Sequence, residues 1–304
     1  MSMITKHRPP TLDDIAGNEE LVDSLGSVLD RDFEDLPHVF LLTGPSGCGK
    51  TTIGRIIANE VGGKAEYYEY NAANVRGIDS MREIERVCIF PPMSGKARVW
   101  LFDEVHQYPA ATQEAMLKML EEAPKHAFFI LCTTDPQKLK NTLKTRCMRY
   151  EVEPLDRAEM IDFLEGIVEE EGADVPDEVL KRIAKESGGS PRGALQLLDK
   201  VIDLEEDDMI NAIDKIEAVE TQSIDLCRAL IARSKWPVIA KILSNLGDDP
   251  ERIRQSVLSY ANSILLKKAD DQAAMVIECF SEPFHDSGLP GVSLACYFAV
   301  RKSD

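Results

Sequence analysis

The chain has 304 residues, 44% of them apolar and 29% charged, and 35 Lys and Arg against 53 Asp and Glu give a net charge of −18. That length predicts two or three domains, each with enough apolar side chain for a core, and it excludes wholesale disorder. No apolar run approaches the roughly 20 residues of a membrane-spanning helix, and a chain this acidic is a poor general binder of nucleic acid or anionic membrane. Any DNA contact must come from local basic patches, or from patches summed over several subunits.

The N-terminal MSMITKHRPP has no long apolar segment, so no signal peptide is expected. Residues 39–43 then read as a buried strand, 52–61 as a helix, 66–70 as a second strand and 78–87 as a second helix. A third strand is predicted over 98–102, a helix over 112–122, a fourth strand over 128–133 and a short fifth over 148–152. Strands separated by helices imply an α/β fold with a largely parallel sheet covered on both faces. After Pro154 the strand signals stop. Helices are predicted over 156–171, 176–186 and 191–203, the last two beginning with proline, which the first turn tolerates. An acidic run over 203–208 reads as a solvated linker or helix start, and the rest is helical, with a long candidate over 250–268. The expected plan is an α/β domain over 1–153, a small helical domain over 154–204 and a helical C-terminal domain over 205–304. The seven cysteines form no Cys-x-x-Cys pair and no zinc-ligand spacing, which predicts reduced thiols in a cytoplasmic protein.

Two motifs carry chemistry. Gly44-Pro45-Ser46-Gly47-Cys48-Gly49-Lys50-Thr51 fits G-x-x-x-x-G-K-[ST], with a strand before it and a helix after it. Glycines let backbone N–H groups turn inward around a phosphate, the lysine reaches the β/γ oxygens, and the threonine hydroxyl ligates Mg²⁺. The apolar run Val99-Trp100-Leu101-Phe102 ends in Asp103-Glu104, two carboxylates at the sheet end where α/β folds bind ligands. Asp103 is expected in the metal shell, and Glu104 as the group that orients and deprotonates the attacking water. Thr133-Thr134-Asp135 closes the next strand; Thr134 lies beside the γ-phosphate if that strand is inserted between the other two, or else simply enters a turn. For Arg146 and Arg192, spacing alone leaves a site role and an ordinary surface or helix-start role both open.

Together these residues resemble the AAA+ ATPases, and specifically the clamp-loader ATPase subunits: bacterial DNA polymerase III gamma-type subunits, replication factor C small subunits and phage loader subunits. Lys6-His7-Arg8-Pro9 and Ile15-Ala16-Gly17-Asn18 resemble the family opening that borders the adenine, with Asn18 in place of the usual Gln. Asp103-Glu104-Val105-His106, Thr133-Thr134-Asp135-Pro136-Gln137-Lys138-Leu139, Thr145-Arg146-Cys147 and Gly189-Ser190-Pro191-Arg192-Gly193-Ala194-Leu195 are similar to its acidic box, sensor 1, S-R-C and sensor 2 segments. The resemblance implies nucleotide contacts from Arg8, Pro9, Ile15, Gly44 to Thr52 and Arg192. It makes Thr134 the γ-phosphate sensor and Arg146 an arginine finger acting on ATP in a neighbouring subunit. Asn71 to Asp79 resembles a segment whose helix touches the DNA backbone, which implies Arg76 and Arg82; the alternating charge around Arg82 equally suits a solvated helix face. Val87-Cys88-Ile89-Phe90-Pro91-Pro92 occupies the place of the clamp-contacting helix end, implying Phe90 and Ile89 as clamp contacts, although such a run also suits core packing. The expected cofactors are ATP and Mg²⁺. The expected partners are a sliding clamp, primer–template DNA, further copies of the chain and a non-identical loader subunit in a ring, a pentamer by analogy, with no membrane. The zinc insertion and long C-terminal extension of some relatives are absent from the sequence, which suggests a minimal loader of phage or bacterial type. Rival readings are a branch-migration helicase subunit and a nucleotide-holding structural subunit.

Overall fold

The computed structural model describes residues 2–62, 66–72, 77–246, 250–284 and 287–301. Five strands, β1 (Val39–Thr43), β2 (Tyr67–Asn71), β3 (Arg98–Asp103), β4 (Ala127–Thr133) and β5 (Met148–Glu151), form one sheet in the order β2-β3-β4-β1-β5. Every neighbouring pair is parallel. The three inner strands are buried almost throughout and the edge strands only in part. This is why 39–43, 98–103 and 127–133 read as near-continuous apolar runs: parallel strands covered on both faces need apolar side chains on both.

The first helices are α1 (Met3–Lys6), α2 (Glu19–Leu29), α3 (Lys50–Gly62), α4 (Ile78–Cys88), α5 (Ala110–Glu121) and α6 (Asn141–Lys144). Successive strand residues point to opposite faces. Phe40 and Leu42 therefore join Leu25 of α2 and Ile53 and Ile57 of α3 in one core, while Leu41 joins Met81 of α4 and Met116 of α5 in the other. Helix α3 lies close on the sheet at Gly54, where a Cβ would stand 2.7 Å from Leu101 Cδ1. Three more helices follow, α7 (Arg157–Glu171), α8 (Asp177–Glu186) and α9 (Pro191–Val201). Helix α7 starts where Asp156 accepts from the N–H groups of Ala158 (2.7 Å) and Glu159 (2.9 Å) while Glu159 accepts from the Asp156 N–H, a reciprocal cap; Gly172 ends it in the left-handed conformation.

The chain divides into two compact units, Met1–Glu206 and Asp207–Asp304, so α7 to α9 fall in the first. Helices α10 (Glu206–Ile231), α11 (Trp236–Asn245), α12 (Pro250–Lys268), α13 (Asp271–Cys279) and α14 (Gly288–Arg301) complete the chain. The acidic run opens α10 at Glu206. The second unit has its own core around Leu226, Leu230, Ile253, Val257, Phe280 and Val292. Its buried Gln272 amide donates to the Leu230 carbonyl (2.8 Å) and the Ala299 carbonyl (3.0 Å), tying helix ends together. Among the described residues no helix is long and apolar enough to cross a membrane.

Candidate functional site

The loop from β1 to α3 is shaped by its glycines. Gly44, Gly47 and Gly49 have φ of 142°, 80° and 101°, values that side chains with a Cβ rarely adopt. A Cβ on Gly44 would also stand 2.1 Å from the Val152 carbonyl oxygen, and one on Gly47 2.2 Å from Ser190 Oγ. The loop therefore threads between the end of β5 and the start of α9 and opens onto the N-terminus of a 13-residue helix, a ready anion site. Lys50 is 5% exposed, and its Nζ donates to the Pro45 carbonyl at 2.6 Å. Burial pulls its pKa down; the Glu104 carboxylate opposes that shift.

Opposite the loop, strand β3 delivers the carboxylates. Thr51 Oγ1 donates to Asp103 Oδ2 at 3.0 Å, and the Glu104 N–H donates to Asp103 Oδ1 at 3.0 Å. Glu104 takes a left-handed φ of 54° and caps the single 3-10 turn Val105–Gln107. Strand β4 does lie between β1 and β3, pairing Thr43 with Thr133, which brings Thr134 to the carboxylates. Thr134 Oγ1 donates to Glu104 Oε2 at 3.1 Å. His106 Nδ1 lies 3.2 Å from the same oxygen and 3.1 Å from Thr133 Oγ1, which accepts the Asp135 N–H at 3.1 Å.

Ser46, Gly47, Gly49, Lys50, Thr51, Thr52, Asp103, Glu104 and Arg192 line one polar cleft. It runs into a mainly apolar cleft that shares Gly47, Gly49, Thr52 and Arg192 and adds Arg8, Pro9, Ile15 and Cys48. The Arg192 N–H donates to the Gly47 carbonyl at 3.4 Å, joining α9 to the loop. Gly44 and Pro45 line neither cleft; they shape the loop and hold Lys50. Sequence reasoning missed Ile4, Phe163 and Leu195 in the apolar cleft. It also missed Asn18, whose amide donates to the Glu153 carbonyl (3.1 Å) and accepts the Glu153 N–H (2.8 Å), clamping the N-terminal segment to the end of the sheet.

Other expected residues stand apart from this cleft. Arg146 follows α6 and lines neither cleft of its own chain. Its guanidinium pairs with Glu121 and donates to the Thr142 carbonyl at 3.1 Å, with the side chain 41% exposed. Arg82 lies exposed on α4, 3.2 Å from Asp79 Oδ1, and Arg76 lies outside the described residues. Beyond α4, Ile89 and Phe90 are each 65% exposed and Met93 96%, so this run is not core. A buried ion pair sits beneath it. Arg98 Nε donates to Glu66 Oε2 and its Nη1 to the Val87 carbonyl at 2.9 Å, while Glu66 Oε1 accepts the Met93 N–H. The guanidinium holds the Glu66 carboxyl below the usual carboxylate range.

The sheet order, the glycine loop on a helix N-terminus and the carboxylates facing it define a P-loop nucleotide-binding protein of the AAA+ class. Residues 64–156 match the family described as DNA polymerase III, delta subunit. The chain is 28% identical to DNA polymerase III subunit gamma/tau of Mycobacterium tuberculosis (strain ATCC 25618 / H37Rv), an alignment covering 90% of this chain and 52% of that protein. It is 28% identical to DNA polymerase III subunit tau of Bacillus subtilis (strain 168), covering 89% and 53%. With DNA polymerase III subunit tau of Escherichia coli (strain K12) the identity is 32%, covering 65% and 34%. The chain thus spans about half the length of the first two relatives. Among solved structures, the Thermotoga maritima RuvB Holliday junction branch migration motor superposes with a TM-score of 0.60 at 22% identity, covering 74% of this chain and 79% of that one, a likeness of fold. Within the AAA+ class, the chain is thus similar to the gamma and tau subunits of DNA polymerase III over most of its length.

Proposed function

We propose that the chain is an ATP-hydrolysing subunit of a sliding-clamp loader, which uses ATP to open a DNA polymerase clamp and place it on primer–template DNA. The observation that carries the ATPase reading is the meeting of Thr51 with Asp103 and of Thr134 with Glu104 at the mouth of the lysine-bearing loop. The likeness to gamma and tau subunits supports the loader reading. The apolar cleft takes the base and the polar cleft the phosphates, with Lys50 on the β/γ oxygens. The Thr51 hydroxyl and Asp103 carboxylate are hard oxygen donors that suit Mg²⁺ shared with phosphates and water. Bound there, the ion would neutralise phosphate charge. Glu104 receives the proton of the water that attacks the γ-phosphorus; the bond to the β–γ bridging oxygen breaks, and ADP leaves with that electron pair.

Arg146, which lines neither cleft of its own chain, would complete the site of a neighbouring subunit. Several copies, with a non-identical companion, would form an open ring of five through the C-terminal units. Phe90 and Ile89 at the exposed tip fit a hydrophobic groove on the clamp. Arg82, with Arg76 by resemblance, contacts DNA phosphates, so DNA binding is salt-sensitive and indifferent to sequence. The test is steady-state ATPase activity without DNA, with single-stranded DNA and with recessed-3′ primer–template, each with and without the clamp. Synergy between primer–template and clamp is expected. Stimulation by any DNA regardless of clamp would favour a translocating motor, and no hydrolysis a holding role.

A further inference from the structure

We propose that His106 is a positioning residue for Glu104, acting through an imidazole held in the Nδ1-protonated tautomer. The proposal rests on Glu104 being the catalytic base. The turn after β3 supplies the geometry. The Glu104 N–H is fastened to Asp103 Oδ1, and the Gln107 N–H donates to the Glu104 carbonyl at 2.9 Å. This tight turn, entered through the left-handed Glu104, brings the ring of residue 106 to the Glu104 carboxylate. The His106 side chain is 14% exposed, so water competes little for the contact.

The tautomer follows from what the neighbours can do. A bare ring nitrogen 3.2 Å from Glu104 Oε2 would set lone pair against lone pair, so this contact calls for the hydrogen on Nδ1. The Thr133 hydroxyl already accepts the Asp135 N–H and keeps a lone pair for the same Nδ1–H, 3.1 Å away. Glu104 Oε2 thus accepts the Thr134 hydroxyl and lies at ion-pair distance from His106 Nδ1. Among the described residues Oε1 has no hydrogen-bond partner, and it is the oxygen left to receive a proton. His106 lines neither cleft, so it acts on the reaction only through Glu104.

The test compares full-length His106→Asn, His106→Gln and His106→Ala. Asparagine places an N–H near the Nδ1 position, and glutamine places one near Nε2. Glutamine and alanine are expected to lower kcat by roughly 10–100-fold with the KM for ATP unchanged, and asparagine to restore most of it. Wild-type kcat in His106→Gln, or equal losses in His106→Asn and His106→Ala, would overturn the proposal. A second measurement needs no turnover: ¹⁵N NMR of the ring nitrogens, with the His106 signals among the five histidines identified by their loss in His106→Asn. A protonated Nδ1 is expected, and a protonated Nε2 with bare Nδ1 overturns the contact. Glu104→Gln serves as the separate control. If it hydrolyses ATP as fast as wild type, the assignment of the base fails, while the tautomer still decides the His106 contact.

Discussion

Thr51 and Asp103, 52 positions apart in the chain, meet hydroxyl to carboxylate at 3.0 Å, because the first residues of α3 face the last residue of β3. That contact fixes both oxygens before any ligand arrives, so little reorganisation is needed when phosphates and a metal ion enter. Asp103→Asn keeps the shape and removes the charge. It is expected to leave metal-free nucleotide binding within about threefold and to lower Mg²⁺-dependent kcat by about 100-fold or more. Fluorescent-nucleotide titration beside steady-state hydrolysis checks both halves.

Arg146→Ala should cost roughly 10³-fold in kcat if the arginine serves a neighbouring site. Since it lies outside its own cleft, subunits carrying Arg146→Ala should regain activity when mixed with subunits carrying Glu104→Gln. Some interfaces then unite an intact arginine with an intact carboxylate. Activity of the mixture no greater than either variant alone would remove Arg146 from the site.

Gly44 admits no side chain. Alanine there combines a φ of 142° with a Cβ 2.1 Å from the Val152 carbonyl. Backbone against backbone cannot yield cheaply, so Gly44→Ala is expected to destabilise the fold by about 2 kcal/mol or more, read from urea unfolding. Alanine at Gly172, which also has positive φ but nothing near its Cβ, should cost less, about 1 kcal/mol.

The exposed tip beyond α4 depends on the Glu66–Arg98 pair, both residues being under 9% exposed. Glu66→Gln removes the charge that holds Arg98 and weakens the acceptor of the Met93 N–H. Exchange of the Met93 amide should accelerate by about tenfold or more. The pH dependence has a definite sign. The Glu66 carboxyl titrates lower in the folded chain than in the unfolded one, so its contribution is complete above the ordinary glutamate range and is lost as pH falls through the depressed folded value. Amide exchange followed down the acid range should show the tip released there, with no such step in Glu66→Gln. Phe90→Ala should weaken clamp binding by about 2 kcal/mol, as loss of an anchoring aromatic does.

Much of this was legible beforehand because the demands are local. The inner strands announced themselves through apolar runs, the loop through its glycines, and the helices α8 and α9 through Pro176 and Pro191. What stayed hidden depends on long-range meetings. Phe163 falls on the apolar stripe of α7 with Met160 and Ile167, and nothing in that stripe distinguishes a residue lining a cleft from one in the core. Asn18 finds its partner 135 positions away, and Glu66 reads as a strand start until Arg98 pairs with it. Exposure of Ile89 and Phe90 was equally hidden, since an apolar pair before two prolines suits a core as well as a surface. His106 had a motif but no spacing that announced its partners, which come together only when β4 lies beside β3.

If Arg146 serves the cleft of a neighbouring copy, an arithmetic consequence follows. A chain whose cleft needs the next chain's arginine is a half-site at each end. An open arc of identical copies then holds one fewer complete site than it has members, with an unserved cleft at one end and an idle guanidinium at the other. A companion protein can therefore cap one end by offering only an arginine, or the other by offering only a cleft, so the two ends of the arc would recruit chemically different neighbours.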